Sequence, residues 1–200
     1  SCEDFNIALQ QNFWLMLHSA QQVDWLTSFS PTYTGQLWLK VDTGMNRLGV
    51  KPDEVETLLT KFTNEQLQNL VLCTHFSSSD EINNPKTRLQ IQTFDHINQT
   101  LNFKKSLANS AGILNWPDSH GDYNRLGLAL YGSTPIPVEN LPIKLTPVMT
   151  LQSIIIGLRK VNSGESVGYG EIWQAQRPST IATIAIGYAD GYPRNAKNGT

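Results

Sequence analysis

Short apolar runs alternate with amphipathic stretches over roughly the first 135 residues, and this alternation restricts the fold more than any other feature of the sequence. Phe13–His18, Leu37–Val41 and Leu70–Cys73 have the length and composition of buried strands. Repeated strand and helix units predict a parallel α/β fold, either a (β/α)₈ barrel or a doubly wound sheet. In both folds, functional residues gather where the strands end.

Residues typical of helix starts and of amphipathic helices follow these strands. Ser19 is a suitable N-cap, and Pro52 suits the first position of a further helix. Two helical stripes have apolar residues at the spacing of one helix face, namely Val55, Leu58, Leu59 and Phe62, and Ile91, Phe94, Ile97 and Leu101. Ser106–Ala108 is the predicted start of a fourth strand, and Leu128–Tyr131 is the candidate for a fifth.

A proline-rich stretch over residues 133–147 interrupts this pattern, because proline disrupts helix interiors and central strands. Beyond it, Val148–Leu158 and Ile181–Tyr188 are β-type runs, and no helical periodicity lies between them. We therefore expect residues 1–140 to form the α/β domain and residues 141–200 to belong to a β-rich domain.

Charge and composition exclude several partner classes. The net charge is −2, with no run of Lys or Arg that could follow a phosphate backbone or an anionic membrane. No apolar run approaches the roughly 20 residues that span a bilayer. The histidines and cysteines match no zinc-ligand spacing, so no metal site is predicted. Two cysteines provide no disulfide framework, which favours the cytoplasm.

Asp42, Thr43 and Gly44 form a D-T-G tripeptide, which also marks aspartic proteases. Those enzymes need two carboxylates that share a proton, and this chain has no second D-[ST]-G. A homodimeric protease would need one copy per chain, but the α/β pattern disfavours an all-β protease.

Six motifs in a fixed order give the tripeptide a different context. They are WLKVDTGMNRLGV (38–50), THFSSSDE (74–81), LANSAGIL (107–114), NRLGLALYG (124–132), GESVGYG (164–170) and IAIGYADGYPR (184–194). Together they span most of the chain and resemble motifs of alanine racemases. The resemblance implies a partial (β/α)₈ barrel that binds pyridoxal 5'-phosphate (PLP), followed by a partial β-domain, in a homodimer with active sites shared between subunits. The implied activity interconverts L- and D-alanine by two-base proton transfer at Cα and supplies D-alanine for peptidoglycan.

Lys40 and Asp42 lie on the opposite face of their strand from Leu37, Leu39 and Val41, so they are expected to point into the barrel. A buried ammonium is costly unless it is paired or neutralised. The resemblance implies that Lys40 is carbamylated and holds Arg47 toward the cofactor and the substrate carboxylate. The alternative is an ordinary Lys40–Asp42 ion pair with a solvated Arg47.

The resemblance also implies a set of cofactor contacts. Arg125 corresponds to the arginine that hydrogen-bonds the pyridine nitrogen, although Leu126 replaces the proline that commonly follows it. Since arginine keeps its proton, it weakens the ring as an electron sink and favours racemisation over transamination. The remaining implied cofactor-binding residues are His75, Asn109, Ser110, Gly127 and Leu128.

Two tyrosines of the β-domain complete the implied site. Tyr169 resembles the second catalytic base, which reaches the partner subunit's cofactor, and Tyr188 resembles a substrate-binding residue on the same side. A free phenol is a poor base at neutral pH, so the site must activate Tyr169 or relay its proton.

No segment resembles the family's KANAYGHG strand, which carries the lysine that binds PLP covalently. We therefore expect an internal fragment without that lysine or the end of the β-domain, and expect it to be inactive alone. Two alternatives remain, a racemase of broader amino-acid specificity and a non-catalytic PLP-binding barrel protein. The exact specificity and a biosynthetic or catabolic role stay open.

Overall fold

The structure is a computed structural model, which describes residues 1–30 and 32–196. The chain divides into two compact units, Ser1–Val148 and Met149–Thr200. This division falls later than the boundary at residue 140 expected from the proline-rich stretch. Within the described ranges, no helix is long and apolar enough to cross a membrane.

The first unit is built around a four-stranded parallel sheet whose strands are β1 (Leu15–Leu17), β2 (Leu37–Lys40), β3 (Leu70–Cys73) and β4 (Lys104–Ser106). Their spatial order follows their sequence order. The register places Leu39 beside both Leu17 and Leu72. This is the sheet of consecutive βα units that the apolar runs predict.

The helices of this unit are α1 (Cys2–Gln10), α2 (Ala20–Phe29), α3 (Val55–Leu59), α4 (Asn64–Gln68), α5 (Pro85–Leu101) and α6 (Ser110–Asn115). Side-chain caps fix several of their starts, because the first amides of a helix have no partner within it. Ser19 accepts from the Gln22 amide at the start of α2, as predicted. Asn84 accepts from the Lys86 amide at the start of α5, where Pro85 occupies the first turn.

Most of the core lies on one face of the sheet. Leu37, Leu39 and Val41 belong to its main hydrophobic cluster, together with Val55 and Phe94 from the helices. The opposite face carries a smaller cluster of Trp38, Val71 and Cys73, against which Tyr123 packs. The predicted alternation along β2 is therefore confirmed.

Several elements of the first unit differ from the sequence prediction, among them β1, which is shorter than the predicted Phe13–His18. Leu128–Tyr131 is a 3₁₀ helix rather than a fifth strand, and it lies between Gly127 and Gly132, whose φ is +78°. β4 spans Lys104–Ser106 and so ends where the predicted strand Ser106–Ala108 begins, and α6 starts at Ser110. The helix that follows Pro52 is a 3₁₀ turn, Pro52–Glu54, continued by the short α3.

The second unit is β-rich, as expected, although its two longer strands begin and end at other residues than the predicted runs Val148–Leu158 and Ile181–Tyr188. β5 (Ile155–Val161) pairs antiparallel with β8 (Ser179–Ile184), and β6 (Ser166–Val167) pairs with β7 (Trp173–Gln174). Two 3₁₀ turns, Tyr169–Glu171 and Tyr188–Asp190, carry the tyrosines singled out by sequence.

Candidate functional site

A cavity of about 540 Å³ opens beyond the carboxyl ends of β3 and β4. This volume is typical of small-molecule sites. Six residues predicted to bind cofactor line it, namely His75, Asn109, Ser110, Arg125, Gly127 and Leu128. Arg47 is not among its lining residues. The strand-end rule thus locates the cavity, since His75 follows β3 and Asn109 and Ser110 follow β4, whereas Arg125, Gly127 and Leu128 come after α6.

The Arg125 guanidinium bonds to backbone at the ends of two strands. Its Nη1 atom donates to the Ser106 carbonyl at 2.9 Å and to the Ser106 hydroxyl at 2.7 Å. Nη2 donates to the carbonyls of Thr74 and Leu107. Hydrogen bonds to a charged donor are stronger than neutral ones, so these contacts hold the arginine rigidly at the wall of the cavity.

His75 lies beside this arginine, with its Nδ1 atom 3.3 Å from Nη2 of Arg125. Burial is the largest cause that lowers the pKa of His75, and together with the charges of Arg125, Lys40 and Arg47 it brings this pKa to about 4. Because Nδ1 faces a cationic donor, it acts as the acceptor. The imidazole is therefore neutral at physiological pH and carries its proton on Nε2.

The lowered pKa of His75 predicts a component of acid sensitivity. The unfolded chain protonates this histidine near pH 6.5, whereas the folded protein does so near pH 4. Between these values the unfolded state binds more protons, so the free energy of unfolding falls as the pH decreases. In the full-length protein, His75→Gln should make this fall less steep. Urea unfolding at several pH values between about 4 and 7 measures it.

Exposed His96 provides the control, and His96→Gln should keep the wild-type slope. Identical slopes for wild type and His75→Gln would show that His75 is protonated equally in both states.

Ser110 and Asn109 form the part of the wall that follows β4. The Ser110 hydroxyl oxygen accepts the amides of Gly127 and Ala129, at 3.0 and 3.2 Å, which leaves its proton available to a ligand. Asn109 Oδ1 accepts from the Gly112 amide and from the Ser79 hydroxyl. Those two donors fix the orientation of the Asn109 amide, so its Nδ2 donors face the other way.

The backbone of Leu128 adds another donor. Its neighbours Gly127 and Ala129 both direct their amides to Ser110, whereas the Leu128 amide has no acceptor within residues 1–30 and 32–196. Free amide and hydroxyl donors beside one another are suited to bind an anionic oxygen.

Lys40 ends β2 on the face that carries Trp38, and only 8% of its surface is exposed. Burial lowers the pKa of Lys40, and the nearby charges of Arg47 and Arg125 add to the effect. In the described part of the chain it forms no ion pair with Asp42. Instead, Asp42 Oδ1 accepts the amides of Gly44, Met45 and Asn46 and so shapes the loop after β2. The structure therefore lacks the Lys40–Asp42 pair of the alternative but has its exposed Arg47.

Arg47 follows that loop, and its side chain is exposed. Within the described ranges it forms no hydrogen bond or ion pair, although its charge acts on Lys40 and His75. The structure thus brings Arg47 near the site but does not join it to Lys40. Two cations repel each other, so an attractive contact requires a change of charge at Lys40.

Tyr169 and Tyr188 lie in the second unit, and both are exposed. Tyr169 has 97% of its surface exposed and stands between Gly168 and Gly170, whose φ angles are +83° and +69°. Its hydroxyl has no hydrogen-bond partner within the described residues. Such a turn presents the phenol away from its own unit.

Sequence reasoning missed Gln90 and Ser79, both buried beside the cavity. Gln90 lies on the buried face of α5 with Ile91 and Phe94, where an apolar residue is the norm. A polar residue at such a position was the available signal, because a buried amide has to be hydrogen-bonded.

Comparison with known proteins agrees with the motifs. The sequence profile of the alanine racemase N-terminal domain matches residues 1–135, and that of the alanine racemase C-terminal domain matches residues 148–200. An alanine racemase of Alteromonas mediterranea is 38% identical over 99% of this chain and 55% of its own length. One of Aeromonas hydrophila is 41% identical over 100% of this chain and 57% of its own length. The chain therefore spans little more than half the length of these relatives.

Solved structures give the same result. The biosynthetic alanine racemase of Pseudomonas aeruginosa superposes with a TM-score of 0.87 at 38% identity, covering 100% of this chain and 56% of that one. The alanine racemase of Bartonella henselae, solved with covalently bound pyridoxal phosphate, has a TM-score of 0.75 at 28% identity, covering 97% and 54%. The expected fold class, a partial (β/α)₈ barrel followed by a partial β-rich domain, is confirmed. The chain belongs to the alanine racemase family.

Proposed function

We propose that the full-length protein containing this chain is a PLP-dependent alanine racemase that supplies D-alanine for peptidoglycan. The observation that carries the proposal is the cavity, where six residues of the resemblance converge on one small-molecule site. Family membership supports the proposed reaction, since relatives that match 99% and 100% of this chain are alanine racemases.

The donors of the cavity fit PLP. Its phosphate would be held by the Ser110 hydroxyl and the Leu128 amide, which supply the donors that a dianion requires. Its pyridine nitrogen would face Arg125, and the neutral His75 would lie against the ring. When bound, PLP withdraws electrons from the substrate and makes its Cα hydrogen acidic.

Arg125 would favour racemisation over transamination. Its guanidinium is held by the carbonyls of Thr74, Ser106 and Leu107 and stays protonated at any physiological pH. Because Arg125 keeps its proton, it would leave the pyridine nitrogen of bound PLP unprotonated and so would weaken the electron withdrawal that PLP supplies. Return of a proton to Cα is then favoured over transamination, as racemisation requires.

Lys40 would act through carbamylation. Its lowered pKa increases the fraction of neutral amine, whose lone pair can attack the carbon of carbon dioxide. A nitrogen–carbon bond forms, one proton leaves, and a carbamate anion remains. The Lys40 ammonium repels Arg47, whereas the carbamate anion would attract it. The carbamate would thereby direct the Arg47 guanidinium toward the substrate carboxylate.

Carbamylation makes a testable prediction. In the full-length protein, Lys40→Ala should lower racemase activity by about tenfold to a hundredfold, because Arg47 loses its anionic partner. Added bicarbonate should not restore activity. Exposed Lys51→Ala is the matched control and should leave the rate unchanged. Native mass analysis that finds an unmodified Lys40 amine in active protein would contradict the proposal.

Tyr169 is proposed as the second base and Tyr188 as a substrate contact, both acting at the partner subunit's site in a homodimer. The exposure of Tyr169 and its free hydroxyl support a role outside its own unit. The free thiols of Cys2 and Cys73 support a reducing, cytoplasmic location.

One assay tests this function against its alternatives. The purified full-length protein, supplied with PLP, is incubated separately with L-alanine, L-serine and L-lysine, and chiral chromatography follows the D-enantiomers. Fastest conversion of alanine is expected. Comparable rates on all three would favour the broader-specificity racemase. PLP binding without turnover would favour the non-catalytic carrier, which the β-rich second unit makes the weaker candidate.

A further inference from the structure

A single buried glutamine connects the ends of two strands beneath the cavity. Gln90 projects from α5, and 0% of its surface is exposed. Its Nε2 atom donates to the His75 carbonyl at 3.0 Å and to the Thr43 hydroxyl at 3.3 Å. Its Oε1 atom accepts from the Ser77 amide at 3.0 Å and from the Ser77 hydroxyl at 3.3 Å. Both halves of the amide are therefore fully used.

The partners of Gln90 extend this connection in both directions. The Thr43 hydroxyl is 2.8 Å from the Thr74 hydroxyl, and both threonines are buried. Thr43 begins the loop that carries Arg47, whereas the Thr74 carbonyl receives a hydrogen bond from Arg125. One side chain thus links the Arg47 loop, the His75 segment and the Arg125 anchor.

The chemistry of the position favours an amide. A buried carbonyl or a buried amide that is left unpaired destabilises the fold, and one glutamine satisfies both. A glutamate would lose both donors and would bring a carboxylate against the His75 carbonyl. An apolar residue of the same size would fill the volume but would leave the two strand ends unconnected.

We propose that Gln90 is a positioning residue, which fixes His75 and the Arg47 loop relative to each other so that both face one ligand. The inference rests on the proposed function for the identity of that ligand, PLP. Gln90 does not touch the ligand and acts through the residues that do.

Gln66 offers a matched comparison for a purely structural role. It is also buried, with 1% of its surface exposed, and it bonds to Thr63 and to the Tyr33 carbonyl. It lies on α4, before β3 begins, whereas Gln90 lies on the helix that follows β3. Replacing either glutamine by methionine keeps the volume and removes the amide.

The test compares Gln90→Met and Gln66→Met in the full-length protein. Both should lower the unfolding temperature. Only Gln90→Met should weaken PLP binding, by about tenfold, as loss of a supporting residue commonly does. Only this variant should raise the pKa of His75 above its wild-type value in an NMR titration, since loosening the segment lets water reach the buried ring beside Arg125. PLP affinity is measured from its absorbance.

Thr43→Val provides a second variant in case Gln90→Met fails to fold. It removes the hydroxyl that receives Nε2 and should change PLP affinity and the His75 pKa in the same directions, more weakly. Wild-type values of both quantities in Gln90→Met, or in Thr43→Val where only that variant folds, would overturn the proposal. If the wild-type protein neither binds PLP nor racemises alanine, the proposed function fails, while the His75 titration still decides the role of Gln90.

Discussion

Replacing Tyr169 by phenylalanine in the full-length protein is expected to abolish exchange of the Cα hydrogen of L-alanine with solvent, whereas exchange from D-alanine remains measurable. Racemisation by two bases needs a proton acceptor on each face of the substrate, and a lysine tethered on one face serves the other poorly. We assign Tyr169 to the face that carries the hydrogen of L-alanine. Loss of a positioned base typically costs about 10²–10⁴ in rate.

Exchange is followed by NMR in deuterated water with each enantiomer separately. Tyr192→Phe, in the same unit, is the control and should leave both exchange rates unchanged. Equal loss from both enantiomers in Tyr169→Phe would refute the facial assignment.

The proposed reach of Tyr169 across the dimer predicts complementation. Mixing Tyr169→Phe with a variant of the family's cofactor-binding lysine should restore part of the activity, because a heterodimer rebuilds one intact site from two chains. Heterodimers that form without any activity would argue against a site shared between subunits.

Replacing Arg125 by methionine should have the second largest effect, since it removes a structural anchor and a proposed cofactor contact together. The substitution removes the side-chain donor to the carbonyls of Thr74 and Leu107, whereas the Ser106 carbonyl keeps the Thr74 amide at 3.1 Å. We expect a loss of about 3 kcal/mol in the free energy of unfolding, within the range for charged hydrogen bonds at partly buried sites. Racemase activity should fall by at least about a hundredfold.

This variant also changes the titration of His75. After burial, the charge of Arg125 is the largest cause of the lowered His75 pKa, so the pKa should rise above its wild-type value. Arg88→Met, at an exposed position of α5, should leave stability and activity close to wild type. Unchanged stability in Arg125→Met would show that its contacts across the strand ends are dispensable.

The sequence predicted the elements whose pattern is local. Leu70–Cys73 is a strand with the predicted bounds, and Leu37, Leu39 and Val41 face the core because alternate residues of a strand face opposite sides. The stripe from Val55 to Phe62 is buried as predicted, even though the helix itself ends at Leu59. The apolar pattern therefore predicted which side chains are buried better than it predicted the length of the helix.

Elements fixed by long-range contacts were less predictable. The apolar Leu128–Tyr131 suits a strand, yet it forms a 3₁₀ turn beside Ser110, which accepts the amides of Gly127 and Ala129. No local pattern encodes a partner so distant in sequence. The same holds for Gln90, whose partners Thr43 and Ser77 lie on other elements.

The candidate site likewise has some features that the sequence predicted and others that it did not. The residues that directly follow β3 and β4 converge on one cavity, as the strand-end rule predicts. Arg47 follows β2 by a longer loop, and its side chain is exposed, because the fold positions the loop but not the end of a long flexible side chain. Its proposed orientation depends on the charge of Lys40, a property that a sequence pattern does not contain.

The most direct test of the proposed function is the fate of L-alanine incubated with the full-length protein and PLP in deuterated water. Chiral separation with mass analysis measures both the enantiomer and the isotope at Cα. We expect D-alanine that carries deuterium at Cα, formed until the two enantiomers are equal, with no accumulation of pyruvate. L-alanine that keeps its hydrogen and yields no D-alanine, or conversion to pyruvate in place of D-alanine, would contradict the account.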